Sequence, residues 1–482
     1  MWEQSAPDTS RLHFISIEKF PFDATQLEQA LRAWPELAGY AAQLIAVWPQ
    51  RVKGFHRLHF GRVTLTLIHD DIDAALGALE ARMDAWFLDG FSPAKNPDMW
   101  SAEVMKKLAA LSAPKARLAT FTVAGAVRQA LSAAGFEVEK KTGFGRKRHR
   151  LEAQLKSSVK VQTDQKQKTP TIIGSGIGGA SLARAFLRRG IVPRIITHGN
   201  ENAASANAAA LIKPRLDLQD RPESRFFLAA YLYALRAYSE TDAIISRGVV
   251  QFSKTDKDAA RFEKLADQAP LPSAHLGFEN GALSLPQALT ISPKKVLSAW
   301  TQGADIETRE ITDLSKINAP VFAAMGYGIK PLLKDGPELR FSRGQISWAR
   351  ADDRLTQAVS YGGYALPAGG KLLVGATHDR LSGGDPYAVS AEDDARNFTQ
   401  FETVMGYSLK PDMNSPSRAS IRVTTANTLP MILNGAPEQF ILTGLGSRGF
   451  VFAPLLAEAM VCRWLGEPLP IDKQLWTQFE QR

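Results

Sequence analysis

The sequence predicts an α/β protein, and three observations carry that prediction. Residues 171–190, TIIGSGIGGASLARAFLRRG, run as a short apolar strand that breaks into glycines and reopens as a helix. The residues before 152 alternate strand and helix patterns, and their strands repeatedly stop at carboxylates. Residues 152–170, EAQLKSSVKVQTDQKQKTP, are polar and nearly free of bulky apolar side chains, which is the composition of a linker between two folded parts.

The glycine stretch organises the second part. Gly174, Gly176 and Gly179 have the GxGxxG spacing. The first glycine permits a tight turn, the second lets the backbone approach a pyrophosphate, and the third lets helix and strand pack closely, with the phosphates facing the helix N-terminus. Glycine-rich turns without a ligand are common, so the motif needs its context. An apolar strand precedes it here, and Leu182, Ala183, Phe186 and Leu187 mark the apolar face of the helix that follows. The stretch reads as a dinucleotide site.

Composition bounds the rest. A chain of 482 residues with 45% hydrophobic residues can build two or three ordinary cores. The single cysteine, Cys462, excludes a disulfide framework and any Cys-rich zinc site, so no metal is expected and a reducing compartment, by default the cytoplasm, is. No apolar run reaches the length of a membrane span, and residues 1–10 lack the basic and apolar regions of a signal peptide. The formal net charge of +9 favours a polyanionic partner. Lys140, Lys141, Arg146, Lys147, Arg148, His149 and Arg150 form a run that reads equally as a phosphate-contacting ridge or as a solvated basic end of a domain.

In chain order, residues 11–19 (RLHFISIEK) alternate apolar and polar, reach Glu18, and pass through a Pro21 turn into helical patterns over 24–34 and 37–47. A second alternating strand, 61–71 (GRVTLTLIHDD), stops at Asp70 and Asp71, and a third, 85–88, delivers Asp89. Ligands of open α/β sheets bind outside the carboxyl ends of the strands, where a carboxylate can accept ribose hydroxyls or orient an amine. Beyond Asp89 the loop is held by Gly90, Pro93 and Pro97, and Asp98 or Ser101 can cap a helix over 102–111. Such a cap leaves Asp89, Phe91 and Lys95 unexplained. Strands over 117–121 and 136–140 flank a helix over 123–133.

The segments DAWFLDGFSPAKNPDMW and LATFTVAGAVRQALSAAGFEVEKKTGFGRKR resemble the methyltransferase half of the bifunctional tRNA 5-methylaminomethyl-2-thiouridine biosynthesis family, MnmC. That family joins an S-adenosylmethionine-dependent methyltransferase to a C-terminal FAD-dependent oxidoreductase. The resemblance implies a Rossmann-like methyltransferase remnant over 1–151, the linker over 152–170, and over 171–482 a two-part FAD-binding domain of the glutathione-reductase and D-amino-acid-oxidase type with a substrate sheet. It assigns S-adenosylmethionine contacts to Glu18 (ribose) and Asp71 (adenine side), and the amine side to Asp89. In the family a further strand and a glycine-rich adenosylmethionine loop precede the segment matching RLHFISIEK, where ten residues stand here. By analogy that strand lies between the strands ending at Glu18 and Asp89, so both are expected to lose a ladder neighbour, at about 1–3 kcal/mol per unpaired buried group. Either the natural start lies upstream of Met1, or this half has lost cofactor binding and keeps at most a role in holding tRNA.

After the glycine motif, the strand over 193–197 ends at Thr197 and His198 where a ribose-binding acidic residue is usual, leaving the backbone and Glu201 as candidates. The segment AASANAAA resembles the family's Ala-Ser-x-Asn turn, which brings Ser205 and Asn207 to the pyrophosphate and flavin; a helix start capped by Ser205 is the alternative. The aromatic helix over 219–238 (Phe226, Phe227, Tyr231, Tyr233) reads as core, and 249–320 as a substrate-covering sheet with a helix after Ser292 and Pro293. A buried strand over 319–328 and LRFSRGQIS, with Arg343, Gly344 and Gln345, resemble elements of the oxidase class; the arginine can equally pair with a surface carboxylate. SIRVTTANTLP resembles the class signature, with Arg422 at its arginine and Asn427 where aspartate is usual. TGLGSRGFVFAP resembles the family's closing loop. Its glycines and the helix after it can set backbone N–H groups near the electron-rich edge of a flavin, which makes Gly446, Ser447, Arg448 and Gly449 flavin neighbours. Cys462 sits on that helix at apolar spacing and reads as core.

The resemblance implies oxidation of the N–CH2 carbon of 5-carboxymethylaminomethyl-(2-thio)uridine in tRNA by FAD, hydrolysis to the aminomethyl base and glyoxylate, and then methylation from S-adenosylmethionine with Asp89 orienting the amine. A carboxylate beside the reacting carbon calls for a guanidinium clamp, Arg422 first and Arg448 second. The alternatives are a glycine- or sarcosine-type small-molecule amine oxidase and a tRNA-binding protein without turnover.

Overall fold

The computed structural model describes residues 6–7, 10–143, 145, 147–156, 168–199, 201–317, 320–333, 337–381 and 383–481. Arg146, Ala319 and most of the expected linker, 157–167, lie outside the described residues.

Up to residue 156 the chain forms β1 (Leu12–Ile17), α1 (Ala24–Leu31), α2 (Ala38–Ala46), β2 (Gly54–Phe60), β3 (Val63–His69), α3 (Ile72–Ala78), β4 (Met83–Leu88), α4 (Ala102–Ala110), β5 (Ser112–Thr120), α5 (Gly125–Ala133), β6 (Phe136–Thr142) and β7 (His149–Leu155). The chain divides into two units that are not contiguous in sequence. The first is Met1–Pro21, Lys53–Gln167 and Cys462–Gln474; the second is Phe22–Val52, Lys168–Val461 and Leu475–Arg482. The late segment is tied into the first unit by polar contacts: Leu469 N–H donates to the Glu80 carbonyl (3.0 Å), and Arg463 pairs with the Glu80 carboxylate (2.9 Å).

The first unit has two sheets, β1-β3-β2 and β4-β5-β7-β6. β1 runs parallel to β3 and β4 parallel to β5, so among the described residues β1 and β4 are both edge strands with one ladder partner each. These are the two strands expected to lack a neighbour. Phe14 on β1 and Phe87 on β4 are 48% and 77% exposed. β2 was not expected, because its buried His56 and Arg57 break the apolar alternation that marks a strand. β7 also overturns the linker's start at 152: Leu151 and Ala153 point into the core while Gln154 is exposed, a period-two pattern too short to read in a polar run. Ser101, not Asp98, caps α4 by accepting from Val104 N–H. Leu76, Met105, Leu108, Leu118, Leu131 and Phe136 make the core beneath.

The second unit continues with β8 (Thr171–Ile173), α6 (Ile177–Leu187), β9 (Arg194–Thr197), β10 (Ala210–Ile212), α7 (Pro222–Ser239), β11 (Ile244–Gln251), α8 (Asp256–Gln268), β12 (Gly277–Glu279), β13 (Ala282–Ile291), α9 (Pro293–Thr301), β14 (Asp305–Thr308) and β15 (Val321–Ala323). Then follow β16 (Leu339–Arg350), β17 (Ala358–Ser360), β18 (Tyr364–Ala368), β19 (Lys371–Gly375), β20 (Asp379–Arg380), α10 (Ala391–Met405), β21 (Arg418–Thr425), β22 (Met431–Asn434), β23 (Gln439–Thr443), α11 (Gly449–Leu465), α12 (Lys473–Phe479) and β24 (Glu480–Gln481). One sheet has the order β14-β9-β8-β15-β23-β22-β24, parallel through its first five strands. β8 lies where the strand order reverses, so its carboxyl end opens into the crevice where such sheets bind ligands. The second sheet, β10-β13-β11-β17-β18-β19-β16-β20, carries β12 on β13 and β21 on β16; of the range 249–320 expected to hold the substrate sheet it takes β12, β13 and the end of β11, while its other strands lie outside that range and β14 joins the first sheet.

The aromatic helix α7 is core, as its pattern predicts: Phe226 and Phe227 pack on Phe452, and Tyr238 stacks on Trp300 with ring centroids 5.1 Å apart. Arg189, just past α6, meets Glu458 of α11 at 2.8 Å, with side chains 3% and 0% exposed. Removing one member strands the other charge in a dry site. Glu458→Ala is expected to lower stability by about 3–5 kcal/mol, measured by denaturant unfolding; a loss within error of zero would show that the pair does not hold α11 to α6.

Candidate functional site

The site grows from the turn after β8. Gly174 has φ +101°, a left-handed conformation, and a Cβ there would lie 2.6 Å from the Ala324 carbonyl oxygen just past β15. A Cβ on Gly179 would lie 1.8 Å from the Gly174 oxygen, so α6 crosses β8 at a distance only glycine permits. Gly176 precedes the first turn of α6, and the Ile177 N–H is taken by Ser205 Oγ at 3.0 Å. Ser205 therefore caps α6 from 28 residues away rather than starting a helix of its own. Ser175 and Thr197 share a hydroxyl hydrogen bond of 2.7 Å, which ties the glycine turn to the end of β9.

The Ser205–Asn207 turn is held by Arg418 of β21, which donates to Asn207 Oδ1, the Glu201 carbonyl (2.8 Å) and the Ala203 carbonyl (2.5 Å). Glu201 is exposed and offers Arg418 its backbone carbonyl, and it is not among the residues lining the cavity. Thr197, His198 and Arg309 line the cavity beyond the end of β9.

The C-terminal loop closes the other side. After β23, Gly446 turns at φ +56°, residues Gly446–Arg448 form a 3-10 turn, and α11 begins at Gly449, earlier than the helix expected over 455–464. A Cβ on Gly449 would stand 3.3 Å from Ile177, so this loop abuts the N-terminus of α6. One cavity of about 570 Å³ joins the two loops; Gly174, Gly176, Ser205, Asn207, Gly446, Ser447, Arg448, Gly449 and Arg422 all line it. Gly179 does not line it and serves packing. No Asp or Glu is among the described lining residues, which leaves the cavity with a cationic balance.

Arg422 enters from β21 opposite β16. A Cβ on Gly344 would lie 2.1 Å from its Nη1, so the glycine of the Arg-Gly-Gln element makes room for this guanidinium. Arg422 donates to the Thr377 carbonyl (3.4 Å) and to the hydroxyl of Tyr364, a phenol that burial pushes up despite the arginine beside it. Arg343 of the same element points elsewhere, to Asp393 at 2.6 Å, and Gln345 is buried against Asp394. Burial, with Arg215 nearby, pulls Arg448 below the ordinary arginine range. Asn427 works as a turn former, accepting from Thr425 Oγ1 (2.8 Å) and Leu429 N–H (3.1 Å).

In the first unit, Glu18, Asp71 and Asp89 follow β1, β3 and β4 at their carboxyl ends, but β4 belongs to a different sheet from the other two. Each carboxylate serves a local turn: Glu18 accepts from Phe20 N–H (2.8 Å), Asp89 from Gly90 N–H (2.8 Å), and Asp71 caps α3 through Asp73 N–H (3.0 Å). The Asp73 N–H, and then Lys19 at 3.1 Å, hold the Asp71 carboxyl below its usual range. The described residues of the basic run lie in or between β6 and β7, where Lys141 pairs with Glu139 and Arg150 with Glu152, each at 2.6 Å, while Lys140 and Arg148 remain exposed.

Sequence reasoning missed Lys213, Arg418, Tyr364 and His378. Arg418 was readable from its spacing of four to Arg422, which puts both on one face of β21. Among the described residues there is no cluster of metal-ligating side chains and no helix long and apolar enough to cross a membrane.

Two family models match the chain: an S-adenosyl-L-methionine-dependent methyltransferase over residues 35–156 and an FAD dependent oxidoreductase over 171–463. The chain is 39% identical to the tRNA 5-methylaminomethyl-2-thiouridine biosynthesis bifunctional protein MnmC of Caulobacter vibrioides, over 98% of this chain and 84% of that protein. It is 31% identical to the protein of the same description from Thiobacillus denitrificans, over 98% and 85%. In fold it is similar to iminodiacetate oxidase from Chelativorans sp., with TM-score 0.53 and 16% identity over 64% of this chain and 98% of that one. Glycine oxidase from Geobacillus kaustophilus gives TM-score 0.51 and 18% identity over 63% and 96%.

Because the contact at Gly179 is backbone against backbone, Gly179→Val is expected to force α6 off β8 and to give a protein that purifies without flavin absorbance. A yellow Gly179→Val protein with the normal flavin content would refute this reading of the turn.

Proposed function

The chain belongs to the family of tRNA 5-methylaminomethyl-2-thiouridine biosynthesis bifunctional proteins, MnmC, and from that premise we propose that its second unit removes the carboxymethyl group of 5-carboxymethylaminomethyl-(2-thio)uridine in tRNA by FAD-dependent oxidation. The observation that carries the proposal is the single cavity shared by the glycine turn, the Ser205–Asn207 turn, Arg422 and the Gly446–Gly449 loop.

The residues present fit FAD. Glycines at 174 and 176 keep side chains away from the α6 N-terminus, which favours a pyrophosphate, and the described lining adds cations without a competing carboxylate. Gly174, Gly176, Ser205 and Asn207 would hold the dinucleotide, and Gly446, Ser447, Arg448 and Gly449 would neighbour the flavin. When bound, FAD accepts the hydride of the N–CH2 carbon. Arg422, seated by Gly344, Thr377 and Tyr364, would take the substrate carboxylate, with Arg448 as second cation. Fixing that carboxylate orients the adjacent carbon, and water then hydrolyses the resulting imine to the aminomethyl base and glyoxylate.

For the first unit, the methyltransferase model matching residues 35–156 supports S-adenosylmethionine-dependent methylation of the aminomethyl nitrogen, with Asp71 as a cofactor contact and Asp89 orienting the amine; Glu18 lies before the matched residues and is carried as a contact by resemblance alone. The exposed Lys140 and Arg148 of the β6–β7 hairpin suit tRNA phosphates. A cytoplasmic setting follows from a tRNA substrate.

Glyoxylate release from tRNA carrying the modified uridine, compared with release from free sarcosine, tests the reading. Release from tRNA is expected; turnover of sarcosine alone would favour a small-molecule oxidase. Arg422→Lys loses a charge-assisted, two-pronged contact and is expected to raise the KM for modified tRNA about 10–100-fold, whereas an unchanged KM would remove Arg422 from the clamp.

A further inference from the structure

We propose that Lys213 is the proton acceptor for the substrate amine: its Nζ takes the proton from the secondary ammonium of the N-carboxymethyl substrate before the N–CH2 carbon is oxidised. The proposal deepens the oxidase function above and rests on it.

Lys213 follows β10, is followed by Pro214, and lines the cavity half-buried. Its Nζ donates to Gln251 Oε1 of β11 at 2.6 Å, which fixes the amine against the cavity wall through a neutral partner. The described lining supplies no carboxylate that could accept a proton. Burial pushes the Tyr364 phenol up, which keeps its proton in place near neutrality. His198 follows Thr197, which is bonded to the glycine turn, so it sits on the dinucleotide side, and His378 is exposed. Lys213 is the remaining base that the protein itself holds in place.

The charges around it explain how a lysine can act so. Arg448 from the C-terminal loop and Arg261 from α8 both face it, Gln251 of β11 is neutral, and Arg215, two residues on, adds its charge beside Arg448. Burial first, and then the two arginines, bring the lysine from its ordinary 10.5 to about 7. Its folded value is depressed, so Lys213 is an ammonium below about 7 and a free amine above it.

The step balances. An N–H bond of the substrate ammonium breaks, an Nζ–H bond forms, and the freed electron pair stays on the substrate nitrogen. That pair would then be available for the C=N bond, with FAD, when bound, supplying the hydride acceptor. The new charge on Lys213 would be offset by the substrate carboxylate held at Arg422. A fixed cation cannot perform this exchange.

The test is anaerobic reduction of the bound flavin by modified tRNA as a function of pH, in wild type, Lys213→Met and Lys213→Arg, each first shown to be yellow. The wild-type rate is expected to rise through a pH of about 7. Both variants are expected to be slower by about a hundredfold or more above that pH and to lose the rise. As a readout independent of turnover, the pH dependence of acylation of Lys213 in the purified flavoprotein is expected to have its midpoint near 7 rather than in the ordinary lysine range. Wild-type rates in Lys213→Arg, an unchanged pH profile in Lys213→Met, or an ordinary acylation midpoint would each overturn the assignment while leaving the oxidase function intact. Failure of modified tRNA to reduce the wild-type flavin at any pH would instead remove the oxidase reading, and the role of Lys213 with it.

Discussion

The second unit depends on a backbone crossing that tolerates no side chain. α6 passes over β8 so closely that a Cβ at 179 would sit 1.8 Å from the Gly174 oxygen, and a Cβ at 174 would sit 2.6 Å from the Ala324 oxygen beyond β15. Overlaps of that size against backbone cannot relax by a rotamer change. The crossing sets the α6 N-terminus at the mouth of the crevice between β8 and its neighbours, and the loops that complete the cavity are placed against it: Ser205 by bonding Ile177, Gly449 by packing on Ile177.

Charge distribution gives that cavity its character. Two arginines outside its wall meet carboxylates: Arg189 with Glu458, Arg343 with Asp393. Inside, Arg422 meets a carbonyl and a phenol, with no Asp or Glu in the described lining. Buried cations with neutral partners are costly unless an anion completes the site. A dinucleotide and a carboxylated substrate would supply those anions, so the charge balance agrees with the chemistry of the family.

The first unit shows what a local pattern can and cannot promise. Its strands end at Glu18, Asp71 and Asp89 as the alternation predicts, yet these carboxylates bond turn amides, and two of the strands are edges of separate sheets. Alternation reports which residues face a core, not which strands become neighbours. The β2 strand escaped notice because His56 and Arg57 are buried within it, and the end of β7 because a polar run hid Leu151 and Ala153.

By itself the sequence determined the elements whose cause is local: the glycine turn, the apolar faces of α6 and α7, and the arginine on β21, each written in residue types at fixed short spacing. Tertiary structure alone decided that Ser205 caps a helix 28 residues before it, that Gly344 clears space for Arg422, and that the charges of Arg448 and Arg261 act on Lys213 in a described lining without a carboxylate. Those relations join positions up to hundreds of residues apart, and Coulomb and steric energies depend on separation in space. No period in the chain encodes them; they exist only once both sheets have formed and brought their loops to a common cavity.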